Sequence, residues 1–178
     1  QDTLYTSDPT THSKQYGDRI IKSPARKYDV FPSENFLEVI PGDGDEIVKL
    51  LEFSNRLLVF KQKSLYIVNI AEDTEIIEST HKDAGAKYSY SITETPFGPV
   101  WVNESGCFSF DGEKLINLTE NKISPSNWSN FILDGSGVVG YIPSLKQVAV
   151  MSSPEGVAEA SANSINNIYI YDLITQSW

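Results

Sequence analysis

The sequence predicts an all-β fold: antiparallel strands gathered into β-propeller-like repeats, behind an extended N-terminal arm. Two observations carry this reading. The first is a recurring plan of apolar strand, tight polar turn, and second strand rich in aromatic or β-branched residues. It appears as Leu57–Phe60 with Leu65–Val68, as Val100–Val102 with Cys107–Phe110 and Leu115–Leu118, and as Val138–Ile142 with Gln147–Met151 and Ile168–Asp172. The second is the spacing of these copies. Leu57, Val100 and Val139 stand roughly 40 residues apart, the period of sheets that repeat around a ring. The number of copies is too small for a closed ring, so the chain reads as part of a larger protein.

Residues 1–27 are polar and irregular, with Ile20 and Ile21 as the only local apolar pair, and are read as an arm or linker. Such an arm is expected to be ordered only against a neighbouring subunit. Residues 28–178 carry the repeats. Tyr28–Phe31 and Phe36–Ile40 are strand-like, with Pro32 between them. Pro41–Asp45 is a turn by composition. Glu46–Phe53 has a helical spacing of Ile47, Leu50 and Leu51, but it is short and Ser54–Asn55 follow, so a strand entering a hairpin is preferred. Ile76–Ile77 continues the β pattern. In Tyr88–Ile92 the apolar residues alternate with serine, the period of a half-buried strand. Thr95–Pro99, Asn103–Gly106 and Asp111–Gly112 are turns, with Gly106 expected at positive φ. A short helical turn is expected at Ser124, with Pro125 as its first residue. Ser152–Ser164 is small and polar and reads as a surface excursion.

Composition limits the function classes. The net charge is −10, with 14 basic against 24 acidic residues, which argues against gripping a phosphate backbone. No apolar run approaches the roughly 18 residues of a membrane-spanning helix, and the first residues lack the pattern of a signal peptide. Cys107 is the single cysteine, so an intrachain disulfide is excluded. The sequons at Asn103, Asn117 and Asn127 would carry glycan only in a secreted context.

Candidate chemistry is sparse. Asp43 and Asp45 resemble the start of a calcium loop, but Ile47 and Val48 stand where an oxygen ligand and glycine are needed. His12 and His81 have no second ligand at metal spacing, and His81 is placed in a polar loop between strands. A pair of Cys107 with His81 is weighed against a packed cysteine inside a strand, and the packed cysteine is preferred. Trp101, Trp128, Trp178, Phe108, Phe110, Tyr169 and Tyr171 are read as glue between sheets in preference to a sugar-stacking surface. The residues therefore nominate no catalytic, cofactor-binding or metal-binding side chain.

Asn55-Arg-Leu-Leu-Val-Phe60 followed by Lys63-Ser-Leu-Tyr-Ile67 resembles a hairpin of the β-propeller proteins in the tail nozzles and hubs of short-tailed bacteriophages. Gly98–Gly112 is similar to the next strand pair there, and Asn117-Leu118 and Lys122–Ser124 follow in the same order. Tyr169–Trp178 resembles the ending of a propeller repeat. The resemblance covers about residues 45–178. It departs at Cys107, where an aliphatic residue is usual, and at Ser152–Ser164, which is extra. The resemblance implies a virion structural protein, made in the host cytoplasm. It would assemble with copies of itself and with other tail and portal-vertex proteins into a ring around the DNA exit channel. It implies no catalysis, cofactor or metal, and no specific grip on the DNA that passes. The alternative is a propeller that binds or cleaves glycans, with a concave site around Trp101 or Trp128 and paired carboxylates.

Overall fold

The computed structural model describes residues 16–71, 74–132, 137–152 and 168–178. The chain divides into two compact units, Gln1–Ile47 and Val48–Trp178.

In the first unit, β1 (Arg19–Ile21) and β2 (Phe36–Glu38) pair antiparallel, with Ile20 opposite Leu37. Arg19 places its guanidinium over the rings of Tyr16 and Phe36 and pairs with the Glu38 carboxylate. β1 thus lies inside the stretch read as an arm. Tyr28–Phe31, expected as a strand, is turn and irregular backbone instead. Lys27 N–H bonds to Pro24 O and Asn35 N–H to Pro32 O, closing local turns on either side. Most of residues 25–34 is exposed, so nothing supplies the second strand that an extended segment needs.

Among the described residues, the second unit is built of three antiparallel meanders. The first sheet runs in the order β3 (Ile47–Phe53), β4 (Arg56–Lys61), β5 (Ser64–Asn69), β6 (Ile76–Lys82). Ser54 and Asn55 join β3 to β4 with φ of 54° and 58°, the two left-handed residues of a type I′ hairpin. That turn decides the strand reading of residues 47–53 over the helical one. A bulge between β5 and β6 leaves Glu78 outside the register, where its carboxylate accepts from Arg56 Nε and Asn69 Nδ2, both at 2.7 Å.

The second sheet is β7 (Ile92–Thr93), β8 (Val100–Asn103), β9 (Gly106–Phe110), β10 (Leu115–Asn117). β7 is shorter than the alternation of Tyr88–Ile92 predicts, because Ser89–Ser91 form a 3₁₀ turn. Ser91 N–H bonds back to Tyr88 O, and the Ser91 hydroxyl donates to Gly137 O at 2.6 Å. That buried bond to the next sheet outweighs the local preference for extension.

The turn Thr95–Pro99 leads into β8. Gly98 adopts φ of 119°, and a Cβ there would sit 2.0 Å from Phe110 O, so no other residue fits. Gly106, by contrast, is not at positive φ. It is required by space: a Cβ would meet Thr119 Oγ1 at 2.8 Å and Asn117 Oδ1 at 2.9 Å.

The third sheet is β11 (Gly137–Ile142), β12 (Gln147–Ser152), β13 (Ile168–Asp172). Between the second and third sheets lies α1 (Pro125–Phe131), capped by Ser124, whose hydroxyl accepts from Asn127 N–H. The start at Pro125 is as the sequence predicts. The excursion after β12 lies outside the described residues beyond Ser152.

Two cores result. One joins the first and second sheets through Leu58, Phe60, Leu65 and Ile67 against Trp101, Phe108 and Phe110. The other joins the second and third through Val100, Val102 and Cys107 against Val139, Val148, Val150 and Tyr171, with Trp128 and Ile132. The second sheet is therefore buried on both faces. Odd and even residues of β8 and β9 serve different cores, as the period of two requires.

Candidate functional site

The three tryptophans have one geometry in common. Trp101 Nε1 donates to Ala84 O at 2.8 Å, from the second sheet to the segment that follows β6. Trp128 Nε1 donates to Asn103 O at 2.9 Å, from α1 to the end of β8. Trp178 Nε1 donates to Leu118 O at 2.8 Å, from beyond β13 to beyond β10. Each indole thus ties a later element to a backbone carbonyl of an earlier one. Trp101 and Trp128 are buried to 0% and 1% exposure, which removes both as sugar-stacking platforms.

The rings reinforce these ties. Phe60 meets Trp101 edge-on at 5.1 Å, and Trp101 stacks on Phe108 at 5.8 Å. Phe131, Tyr169, Tyr171 and Trp178 gather around Trp128 and one another at 4.6–6.1 Å. Offset and edge-on contacts at such distances contribute beyond area alone. The aromatic constellation nominated from sequence is brought together as two inter-sheet clusters.

The sequon at Asn103 is a structural junction. Its Nδ2 donates to Asp83 O and Gly85 O, while its Oδ1 accepts from Ser105 and Gly106 N–H. Asn117 likewise uses its Oδ1 to accept from Thr119 N–H and Oγ1. Asn127 lies on α1 and is exposed.

His81 is on β6, opposite Leu65, and not in a loop. Strand pairing is a backbone matter, and a polar edge strand such as β6 satisfies it without an apolar face. Ser79 Oγ lies 3.1 Å from His81 Nε2, and partial burial lowers the imidazole's pKa. Cys107 sits in the second core with no exposure, and burial pushes its thiol well above the ordinary range. The structure places it on β9, in a different sheet from His81. A protonated, enclosed thiol is a poor nucleophile and a packed apolar group. His12 lies outside the described residues.

The acidic turn closes on itself: Asp45 N–H bonds to Asp43 Oδ1, and Gly42 and Gly44 adopt φ of 82° and 73°. Among the described residues no group of three His, Cys, Asp or Glu side chains is placed to hold a metal ion. None of the described helices is long and apolar enough to cross a membrane.

Two exposed turns carry charge that sequence reasoning passed over. Asp111 accepts from Lys114 and Glu113 N–H, and Asp172 from Thr175 and Ile174 N–H. The backbone donor of Lys114 leads in lowering the Asp111 pKa, and that of Thr175 in lowering the Asp172 pKa. The sequence signal is the same in both: an aspartate directly after an aromatic residue, Phe110 or Tyr171, where a strand gives way to a turn.

Two concavities of mixed character open on the described surface. One, of about 270 Å³, is lined by Gln62, Lys63, Asp83, Lys87 and Glu104 among others. A second, of about 470 Å³, runs along Asn121–Pro125 beside the buried Trp128. Neither presents an open aromatic face. No protein family model matches this chain, and no curated protein matches it.

Proposed function

We propose that this chain is a structural component of a bacteriophage tail: a partial β-propeller in a nozzle- or hub-like ring around the DNA exit channel. It acts through protein–protein assembly, with other copies of itself and with other tail proteins, and without catalysis. The observation that carries this reading is the second sheet, which is apolar on both faces and sandwiched between its neighbours in chain order. Sheets stacked in this way, each one antiparallel meander, are the building plan of propeller blades. The plan yields a rigid platform, and the indole ties described above stiffen each junction.

Three further observations support the reading. The nominated aromatic residues are spent inside the junctions. Cys107 and His81 are separated and unsuited to nucleophilic work. The net charge of −10 suits a passage that DNA crosses without adhering.

Immunogold labelling of intact virions tests the proposal, using antibody raised against this chain and phage that encode it. Label is expected at the tail vertex. Virions without label, together with selective binding of the chain on a glycan array, would overturn it in favour of a glycan-recognition domain.

A further inference from the structure

The connection between β1 and β2 carries two adjacent cations, Arg26 and Lys27, on an exposed stretch that runs from residue 25 to residue 31. Neither side chain has a hydrogen-bond or ion-pair partner among the described residues. Their backbone is held only by a local turn, in which Lys27 N–H donates to Pro24 O and Arg26 adopts φ of 65°. Beyond Lys27, the backbone of Tyr28–Phe31 makes no hydrogen bond to other described backbone. Basic residues elsewhere are engaged. Arg19 and Arg56 pair with carboxylates, Lys49, Lys61 and Lys82 lie in paired strands, and Lys122 donates to Gln176 O. A trypsin-like endoprotease needs a free cationic side chain and a backbone that can be drawn out straight. Exposed loops supply the second requirement, and paired strands do not.

The two sides of this connection are tied to each other without it. Besides the β1–β2 ladder and the Arg19–Glu38 pair, Lys22 N–H donates to Asn35 O, and Asn35 Nδ2 donates to Lys22 O. Val39 N–H bonds to Asp18 O, Gly42 N–H to the Asp18 carboxylate, and Ile47 N–H to Gly17 O. All of these join residues 17–22 to residues 35–47, and none uses residues 23–34. The clasp is therefore independent of the chain that links its halves.

We infer that Arg26–Lys27 is a site of modification by a trypsin-like endoprotease, and that the cut leaves the N-terminal segment clasped to β2. Hydrolysis after Lys27 breaks its carbonyl C–N bond. Water supplies an oxygen to the new Lys27 carboxylate and a proton to the new Tyr28 amine. Before the cut the clasp is intramolecular, and its halves meet at the high effective concentration that a short tether imposes. After the cut the same contacts hold two separate pieces, and denaturant or dilution can part them. Cleavage thus turns a tethered N-terminal segment into a detachable one. The inference stands apart from the assembly reading above.

Limited digestion of the full chain with trypsin under native conditions tests it, read by intact mass and by gel filtration. A cut after Arg26 or Lys27 is expected before any cut within residues 48–178. The two pieces are expected to elute together in buffer and apart in urea. The double variant Arg26→Gln with Lys27→Gln is expected to slow that cut by about tenfold or more. Both side chains are exposed and unpaired, so its thermal unfolding should match the unaltered chain, which separates a lost site from a changed fold. Cleavage within residues 48–178 while the Arg26–Lys27 region stays whole overturns the inference. Pieces that part in buffer as soon as the bond is cut also overturn it, because the clasp would then depend on the link. Both of these results leave the tail-assembly reading standing, since that reading is judged by labelling of virions.

Discussion

Trp101 and Ala84 are joined by an indole N–H to carbonyl hydrogen bond of 2.8 Å, buried between the first and second sheets. The bond and the ring are separable. Trp101→Phe keeps most of the aromatic contact with Phe60 and Phe108 but leaves Ala84 O without its donor, a loss of about 1–3 kcal/mol. Trp101→Ala also opens a cavity and is expected to cost about 3–5 kcal/mol. Urea unfolding of the two variants checks the order. Equal losses would mean that the hydrogen bond contributes nothing of its own.

Asn103 spans the same junction with four hydrogen bonds, two donated to Asp83 and Gly85 and two accepted at the hairpin turn. Asn103→Asp retains the acceptor but sets a carboxylate oxygen against two carbonyls. It is expected to destabilise by at least as much as Asn103→Ala, about 2–4 kcal/mol. Denaturation midpoints decide this. A near-neutral Asn103→Asp would mean that the turn alone needs Asn103.

Gly85 lies against the β4–β5 hairpin, where a Cβ would fall 2.4 Å from Lys63 C and 2.5 Å from Lys61 O. Both neighbours are backbone, held by Gly85 N–H to Lys63 O and Ala86 N–H to Lys61 O. Gly85→Ala must displace that pairing and is expected to lower stability by about 2 kcal/mol or more. Loss of amide protection at Gly85 and Ala86 in hydrogen exchange is the specific readout.

The acid response follows from the turn carboxylates. Asp111, Asp172 and Glu78 have folded-state pKa values below their ordinary ones. For Glu78 the leading cause is the hydrogen bond from Arg56. A depressed carboxylate contributes stability that is complete above its unfolded pKa of about 4 and is lost as pH falls through the folded value. His81 is lowered by burial, so its neutral form is favoured in the fold. Its contribution is complete above about pH 6.5 and is lost as pH falls below that. Thermal melts should therefore fall in two stages on acidification, first through His81 and then through the carboxylates. His81→Gln is expected to remove the first stage. Asp111→Asn, which keeps the turn acceptor, should reduce the second.

Cys107 reports on the second core. Enclosed and protonated, it is expected to resist thiol reagents in the native protein and to react at once in denaturant. Rapid labelling under native conditions would contradict the packing between the second and third sheets.

Much of the strand order was legible from sequence because turn chemistry and alternation agree. Ser54–Asn55, Asp111–Gly112 and Ser124–Pro125 each occur where the backbone changes course. Other details were not legible, for physical reasons. Tyr88–Ile92 alternates like a strand, but Ser91 is drawn into a turn by its bond to Gly137, a residue far along the chain. Thr80–Lys82 looks like a loop because its side chains are polar, yet an edge strand needs only a backbone partner. Gly106 looks like a positive-φ glycine, yet it is there to admit Asn117 and Thr119. The aromatic residues were nominated correctly as a group, but their indole–carbonyl pairing depends on tertiary geometry.

The most direct test of the account is native mass spectrometry of the particle that contains this chain. The account predicts several copies in one closed assembly together with other tail subunits. A single copy, unassociated and binding glycan, would contradict it.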